Sequence, residues 1–296
     1  MIKSKGDKAY QIVCIVLATM LMLCCLYPLL YCFFVSVCSE EEWTARDGLL
    51  LFLPSSPTFA AYFKIFGVGS YVLRSLGMAL LRTVVGTVSS VLITAIVGYV
   101  LSRKDLPGKT AYTYLLLFVL FFSGGLIPTY VVIQQLNLLN SFWVMILPNL
   151  INAWNVLVFK QFFLAIPSEI EEAAQVDGTS EIQLFVQIIL PMSTAVFASI
   201  GLFTMVFHWN AWFDVMIYIS QQHSDLWTLQ YYIMINFNNL AQIDSSVLPD
   251  WSEGGEVSAL STRMALTIVG FLPMLCIYPF FQKYFNSGVY LGAVKG

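Results

Sequence analysis

The residues with the most potential for ligand chemistry lie in two short runs of polar and aromatic side chains. One run places five of them within seven positions: His208, Trp209, Asn210, Trp212 and Asp214. The other places amides around a tryptophan: Asn149, Asn152, Trp154 and Asn155. Aromatic faces pack against the C–H surfaces of a sugar while amides and carboxylates bond its hydroxyls, so both runs could line a sugar pathway. The same groups could instead form hydrogen bonds between helices, and both interpretations stay open.

Other kinds of site find little support in the sequence. A hydrolytic triad of His208 or His223 with Asp214 would need a nucleophile, and no serine or cysteine lies in a nucleophile elbow. Gly108-Lys109-Thr110 is similar to the end of a phosphate-binding loop, but the glycine required five positions earlier is Arg103. The two histidines do not have metal-ligand spacing. The sequence therefore predicts no catalytic residue, no metal and no cofactor bound by this chain.

The elements that position these residues must lie in a membrane. The chain of 296 residues is 58% hydrophobic and only 10% charged, and its mean hydropathy is +0.78. A soluble domain has about 25% charged residues, so this chain cannot coat a soluble fold. The net charge of −3 offers no basic face for a phosphate backbone. The composition excludes a soluble enzyme, a nucleic-acid-binding protein and a disordered chain.

Six apolar stretches are long enough to cross a bilayer as helices, which takes about 20 residues each. They lie near residues 10–37, 82–101, 111–133, 142–163, 192–219 and 264–285. The first could be a signal peptide, but it is nearly twice the usual length of about 7–15 apolar residues and is expected to be retained. The sequence thus predicts an all-α integral membrane protein in which residues 10–296 form a single transmembrane domain.

The distribution of basic residues predicts the orientation of the spans. Nine would lie inside if the N-terminus is cytoplasmic: Lys3, Lys5, Lys8, Arg103, Lys104, Lys109, Lys160, Lys283 and Lys295. Four would lie outside: Arg46, Lys64, Arg74 and Arg263. This asymmetry favours two cytoplasmic termini, with residues 1–9 inside and residues 220–263 as an extracellular loop.

Two charged residues at membrane depth need an explanation. Arg82 lies near the expected outer end of span two, from which its side chain could extend to the surface. Asp214 is the one carboxylate in a predicted span, and an unpaired buried charge is costly. We expect its partner to be Trp209, Asn210 or a residue of another subunit.

Span three contains Gly124-Gly125 followed by Pro128. Glycine and proline weaken a helix at such a point, because glycine adds conformational freedom and proline removes a backbone donor. The sequence therefore allows either a bend, which could form part of a gate, or close packing of another helix against the glycines.

The inner segment of residues 167–191, called the elbow below, is predicted to be two helices joined at a glycine. Ser168 and Glu171 have the spacing of a capping box, and Gly178 can end the first helix in the left-handed conformation. Ser180 can cap the second helix, with Gln183 at its third position. This rigid, narrow element on the cytoplasmic side could be gripped by a soluble partner.

One motif in the elbow resembles a known signature. Glu172-Ala173-Ala174, Gly178, Ile188 and Leu190-Pro191 fill every fixed position of the EAA-x3-G-x9-I-x-LP pattern of ABC importer permeases. The resemblance implies that the elbow is a coupling helix that docks into an ATP-binding subunit. The residues it implicates in coupling are Glu171, Glu172, Ala173, Ala174, Asp177, Gly178, Leu190 and Pro191.

The resemblance narrows further along most of the chain, from about Arg82 to Gly296. The segments that carry it are 101–108, 121–130, 154–156, 209–214 and 292–296. They are similar to the MalG-like carbohydrate permeases of the LplC/YtcP group. This implies the type I ABC importer (MetI-like) fold, with alternating access of a pathway that transports an oligosaccharide.

The resemblance also implies partners in the cell membrane. These are a second homologous permease subunit, two ATP-binding cassette subunits that use ATP and Mg²⁺, and an extracellular solute-binding lipoprotein or periplasmic protein. Aromatic residues of the outer loop are candidate contacts for that binding protein: Trp227, Tyr231, Tyr232 and Trp251. The alternatives are a permease for peptides or other small polar solutes, and a secondary transporter that acts alone.

Overall fold

The computed structural model describes residues 5–48, 50, 52–67, 70–238 and 258–293. Every regular element in these ranges is helical. Fourteen α-helices occur in chain order: α1 Lys5–Ser36, α2 Glu40–Ala45, α3 Ala60–Ile65, α4 Tyr71–Ser102, α5 Lys109–Phe121, α6 Leu126–Gln135, α7 Ala153–Leu164, α8 Ser168–Val176, α9 Glu181–Gln183, α10 Leu190–Met192, α11 Thr194–Asn210, α12 Phe213–Tyr218, α13 Leu229–Asn238 and α14 Ala259–Ala293. The described ranges also contain four helical elements of other types: the 3-10 helices Phe142–Met145, Leu147–Asn149 and Gln221–Leu226, and the π-helix Leu184–Ile189.

Three helical stretches in the described residues are long and apolar enough to cross a membrane unaided. They are Tyr10–Ser36, Tyr71–Ser102 and Ala259–Gln282. Three further stretches pass the same test only as bent pairs: α5 with α6 at 115°, Phe142–Asn149 with α7 at 50°, and Glu181–Met192 with α11 at 81°. Counting each bent pair as one span gives up to six. The sequence predicts the same number.

The chain forms two compact units. One comprises Met1–Val72 and Ile235–Leu272, and the other Leu73–Met234 and Pro273–Gly296. In the first unit, Val35, Cys38 and Leu50 form a buried apolar cluster. The carboxylate of Glu42 accepts hydrogen bonds from the N–H groups of Ser55 and Ser56 at 2.7 and 3.2 Å. These bonds, the Ser55 bond first, hold the pKa of Glu42 below its usual value.

In the second unit, α4 buries one face along its length. The buried positions are mostly small or hydroxylated: Ser75, Ala79, Thr83, Thr87, Ser90, Thr94, Ala95 and Ser102. Large apolar side chains occupy the exposed face: Leu73, Leu80, Leu81, Val84, Val88, Leu92, Ile96 and Val100. This is the reverse of a soluble amphipathic helix and is typical of helices in a bilayer, where small residues let neighbouring backbones approach.

One close approach to α4 is at Gly98. A methyl group added there would lie 2.7 Å from Cβ of Phe159 and 3.2 Å from the backbone N of Lys160. These atoms belong to the body of α7 and cannot rotate away. Gly98→Ala is therefore expected to lower the free energy of unfolding by about 1–3 kcal/mol, the usual cost of overpacking.

Gly77 on the same helix provides the matched control, because a methyl group there would meet no atom within 4 Å in the ranges that the structure describes. Gly77→Ala should be neutral or stabilise the chain by up to about 1 kcal/mol. Both variants can be compared by unfolding in mixed micelles as the fraction of denaturing detergent rises. Equal stability of the two variants would contradict the close packing at Gly98.

The described helices correct one expectation for the spans and decide between two alternatives at another point. α4 begins at Tyr71 and not near Arg82, so Arg82 lies well inside the helix. Its side chain is fully buried, and the expected extension to the surface is wrong. In span three, α5 ends at Phe121 and Gly125 has a φ of +82°. No atom of the described residues lies within 4 Å of a methyl group placed on Gly125, so in this part of the chain the glycine serves the 115° bend and not close packing.

Candidate functional site

The elbow begins with α8, a helix of about two and a half turns. Gly178 follows with a φ of +77°, the left-handed conformation that the sequence predicts for this stop. The N–H groups of Gly178 and Thr179 donate to the carbonyls of Gln175 and Ala174, both at 3.0 Å. The second helix then starts at once with the predicted capping box of Ser180 and Gln183. The turn is therefore fixed by local bonds on both sides.

The predicted capping box of the first helix is wrong. Pro167 is the N-cap residue of α8 and has no side chain that can cap, so Ser168 lies inside the helix. The carboxylate of Glu171 is engaged elsewhere, in an ion pair with Arg103. A longer-range electrostatic interaction has replaced the local one.

The elbow packs inward through small and apolar residues. Ala174, Leu184 and Ile189 belong to a buried cluster that also contains Phe159 and Phe163 of α7. The opposite face points away from the described chain. Its exposed members are Glu172, Ala173, Val176, Asp177, Gly178 and Ile182. Val176 and Ile182 expose 88% and 78% of their surface. Neighbouring apolar side chains that are this exposed usually mark a contact with lipid or with another protein.

Arg103 connects the end of α4 to both helices of the elbow. Its guanidinium pairs with Glu171 of α8, and Nη2 donates to Glu181 of α9 at 2.9 Å. The Tyr99 hydroxyl donates to the other oxygen of Glu181 at 3.0 Å, and the guanidinium lies 5.6 Å from the centre of the Tyr99 ring. Burial lowers the pKa of Arg103, but Tyr99 and the two carboxylates raise it above its ordinary value. The guanidinium therefore stays charged in this network.

The second part of the candidate site is a cavity of about 440 Å³ in the larger unit. It is lined by Ser90, Thr94, Pro148, Asn149, Ile151, Asn152, Trp154, Asn155, Phe203, Thr204 and Phe207. All four members of the predicted Asn149–Asn155 run are among them. The side chain of Asn152 caps α7 by accepting the N–H of Asn155 at 3.1 Å, which fixes the amide at the edge of the cavity.

The other predicted run lies outside this cavity. His208 and Trp209 are buried in α11, and the ring of His208 lies against the backbone of Gly86. Asn210 is exposed and donates to the carbonyl of Val206 at 3.0 Å. Trp212 contacts the edge of Phe213 at 5.8 Å between ring centres. The structure therefore brings the residues of the Asn149–Asn155 run together around the cavity and places the residues of the His208–Asp214 run elsewhere.

Asp214 has a partner that sequence reasoning missed. The Arg82 guanidinium forms an ion pair with both carboxylate oxygens of Asp214 and also donates to the carbonyl of Ala211 at 3.1 Å. A longer bond reaches the carbonyl of Met145 at 3.4 Å. The expectation of a partner at Trp209, Asn210 or another subunit is therefore wrong. Arg82 therefore contacts the end of the 3-10 helix at Met145, the residue after α11 at Ala211 and the first turn of α12 at Asp214.

The aromatic residues of the predicted outer loop are also placed differently from expectation. Trp227, Tyr231 and Tyr232 are buried, and the first two rings meet edge to face at 5.1 Å. They are not available as a contact surface for a binding protein, which corrects that prediction. Trp251 lies outside the described residues.

Comparison with known proteins decides the family. No protein-family model matches the chain. The polygalacturonan/rhamnogalacturonan transport system permease protein YtcP of Bacillus subtilis is 35% identical over 280 residues, 94% of this chain and 95% of that protein. Protein LplC of the same organism is 35% identical over 269 residues, 91% of this chain and 89% of that protein. The chain belongs to the carbohydrate ABC importer permeases.

Among solved structures, a bacterial ABC transporter involved in the import of the acidic polysaccharide alginate matches with a TM-score of 0.87 and 25% identity, over 96% of the permease and 99% of that chain.

Membership in this family agrees with the site's chemistry. Its relatives are transport permease subunits and not enzymes, so side chains are needed for binding and for mechanical contact. In this permease the EAA signature lies on the elbow. Glu172-Ala173 faces outward and Ala174 inward, and Leu190-Pro191 follows the π-helix just before the 81° bend into α11.

Arg103 is a functional candidate that sequence reasoning did not single out. In the sequence it entered as one of the inner basic residues and as the position that breaks the phosphate-binding-loop pattern. The signal that could have found it is the pair of carboxylates at Glu171 and Glu181 with no cation of their own on the elbow.

Proposed function

We propose that this permease is the membrane subunit of an ATP-driven importer of oligosaccharides and that the elbow couples it to a separate ATPase. The observation that carries the coupling role is the outward face of the elbow. That face combines the carboxylate of Glu172 with the small side chain of Ala173. It also presents two highly exposed apolar side chains, those of Val176 and Ile182. Small residues permit close approach, and exposed apolar area favours a protein contact.

The path of the force follows from the contacts of the elbow. A displacement of α8 acts on α4 through Arg103 and on α7 through the buried cluster around Ala174. It acts on α11 through the π-helix and the bend after Leu190-Pro191. Alternating access would then arise from rigid movements of these helices when ATP-binding subunits close.

The topology proposed for the chain is six spans with both termini in the cytoplasm of the cell. Six spans follow if each bent pair crosses once, and nine inner against four outer basic residues support the orientation. Residues 220–263 would then lie outside. The segment 239–257 within that loop and the tail residues 294–296 lie outside the described residues.

The proposed assembly contains further chains. A second homologous permease would complete the pathway, two ATP-binding cassette subunits would use ATP and Mg²⁺, and an external binding protein would deliver the sugar. YtcP is named for the transport of polygalacturonan and rhamnogalacturonan, and the structurally similar transporter is involved in the import of alginate. These relationships to polysaccharides support an oligosaccharide as the substrate.

Within the chain, Asn152 and Asn155 are the pathway candidates, because they line the cavity. The exposed Asn210 and the partly exposed Trp212 stay pathway candidates. The buried His208 and Trp209 and the ion-paired Asp214 are proposed to have packing or ion-pair roles instead.

The coupling role predicts the phenotype of Glu172→Lys. This charge reversal on the outward face should lower sugar uptake about tenfold or more in proteoliposomes that contain the complete transporter. ATP hydrolysis should lose its dependence on the sugar, because the ATPase contact has been altered while the pathway is intact. Uptake and ATP hydrolysis are measured on the same preparation.

Asp105→Lys is the matched control. Asp105 is an exposed carboxylate on the turn between α4 and α5, the same predicted side of the membrane. Its reversal should leave uptake unchanged. Normal uptake by Glu172→Lys, or an equal loss in Asp105→Lys, would show that the elbow is not the coupling contact.

A further inference from the structure

An apolar groove lies between α4 and α5, next to the turn of residues 103–108 that joins the two helices. It has a volume of about 400 Å³, and none of the residues that line it is charged. Leu101 and Leu106, which flank the start of the turn, belong to the lining. The groove therefore begins at the turn and continues along the apolar part of both helices. Its walls are Ile96, Val97 and Val100 of α4 and Tyr112, Leu115 and Leu116 of α5.

The length of the groove follows from the helical rise. The lining extends from the end of α4 at Ser102 back to Ile96, and from the start of α5 at Lys109 on to Leu116. At 1.5 Å per residue, this is about 10 Å on each helix. A transmembrane helix about 10 Å in diameter would occupy about 800 Å³ over that length, about twice the volume of the groove. The groove is therefore too narrow for a helix. It is open at its side, where Leu115 exposes 60% of its surface, so a single extended chain can enter.

The turn next to the groove carries positive charge. Lys104 is exposed on the turn, and Lys109 is the first residue of α5. Nζ of Lys109 donates to two backbone carbonyls where α4 ends, both at 3.0 Å. Nζ of Lys160 on α7 donates to Oγ1 of Thr113, one turn further along α5, at 2.9 Å. In the part of the chain that the structure describes, none of these three lysines forms a salt bridge.

The carboxylates of this region do not balance the three lysines. Glu171 and Glu181 are already paired with Arg103, and Asp105 is the one acid on the turn. The start of α5 adds the positive end of a helix dipole at the same place. Basic pockets between transmembrane helices bind the head groups of anionic lipids. The groove and the turn together therefore offer an apolar slot with a positive end.

We propose that the groove between α4 and α5 binds an anionic phospholipid, with an acyl chain between the helices and the phosphate at Lys104 and Lys109. The end of a transmembrane helix lies at the depth of the lipid head groups, so each part of the site meets the matching part of the molecule. A helix of the second permease is the competing occupant, but it is too wide for the groove and would leave the lysines without an anion. The site is separate from the elbow and from the cavity at Asn152, so its test does not depend on sugar import.

The experiment measures the lipid retained by the complete transporter. The detergent-purified complex, with both permeases and the ATP-binding subunits, is titrated with phosphatidylglycerol or with phosphatidylcholine of the same acyl chains and examined by native mass spectrometry. Phosphatidylglycerol should bind at least about fivefold more tightly, the contribution of one lysine at a membrane surface. Equal binding of the two lipids would overturn the inference. So would displacement of phosphatidylglycerol by inorganic phosphate, since the site would then hold an anion without an acyl chain.

A charge variant tests the head-group end of the site. Lys104→Gln should lower the affinity for phosphatidylglycerol about fivefold and leave that for phosphatidylcholine unchanged. Arg74→Gln is the matched control, because it removes an exposed cation near the other end of α4. It should leave the affinity unchanged. An equal loss in both variants, or no loss in Lys104→Gln, would contradict a site at the turn.

A second pair of variants tests the acyl-chain end. Leu116→Trp fills the groove and should remove one phosphatidylglycerol molecule from each transporter. Val119→Trp adds the same ring to an exposed position of α5 outside the groove, and the lipid should be retained. Equal retention in the two variants would contradict the site. If Leu116→Trp releases the second permease while the lipid stays bound, the groove is a contact between permeases and the inference falls. Lys104→Gln changes an exposed side chain, so it decides the case even where Leu116→Trp fails to assemble.

Discussion

Replacing Arg82 with methionine is expected to lower the free energy of unfolding by about 3–5 kcal/mol. Arg82 is fully buried and is paired with Asp214 through both carboxylate oxygens. Its removal would leave a mostly buried carboxylate without a cation and would also take a donor from the carbonyl of Ala211. Unfolding in mixed micelles, followed by the loss of helical circular dichroism, measures the change.

The expected loss is this large because Arg82→Met leaves the carboxylate of Asp214 without a cation. Variants at Asp214 test that explanation. Asp214→Asn should be destabilising by a similar amount, because it leaves the fully buried guanidinium of Arg82 without a counter-charge, although asparagine still accepts one hydrogen bond from it. The double variant Arg82→Met with Asp214→Met should be more stable than the sum of its single changes, since no buried charge remains. Arg82→Met unfolding at the same point as the wild type would show that the ion pair does not hold these segments.

The parts of the structure that were predictable from the sequence are those fixed by neighbouring residues. The stop at Gly178 and the capping box of Ser180 and Gln183 depend on bonds within a few positions. The bend at Gly125 is also local, but the sequence left it open against close packing. Apolar runs also predict the helices that could cross a bilayer, because length and hydropathy are properties of a continuous segment.

The parts that were missed are interactions between distant positions. Arg82 and Asp214 are separated by 132 residues, and Arg103 is separated from Glu171 by 68. No local pattern pairs such residues, because their meeting depends on how the helices pack. Ser168 shows the opposite kind of error, because its spacing to Glu171 predicts a capping box that does not form. The carboxylate of Glu171 pairs with Arg103 instead.

The same reasoning explains why only one of the two polar runs lines the cavity. Asn149 to Asn155 lie where the chain bends by 50° into α7, so their side chains project from the start of a helix. His208 and Trp209 lie inside α11 and are packed against neighbours. A run of polar residues at membrane depth therefore indicates a pathway more strongly at a helix break than within a continuous helix.

Replacing Arg103 with glutamine is expected to separate ATP hydrolysis from transport. Arg103 links the end of α4 to Glu171 on one helix of the elbow and to Glu181 on the other. Glutamine removes both ion pairs, so α8 could move without carrying α4 with it. Changes within such coupling networks alter the linkage by about 0.5–2 kcal/mol, which corresponds to a rise of about 2- to 30-fold in ATP hydrolysed for each sugar imported.

This ratio, and not the uptake rate alone, distinguishes coupling from folding. The ion pairs are partly exposed and contribute about 1 kcal/mol or less to stability, so the assembled transporter should melt near the wild-type temperature. Lys104→Gln removes the neighbouring exposed charge and should leave the ratio unchanged. Glu171→Gln and Glu181→Gln should each raise it less than Arg103→Gln, because each leaves the other pair intact. An unchanged ratio in Arg103→Gln would mean that force from the elbow reaches the spans through Ala174 and α11 alone.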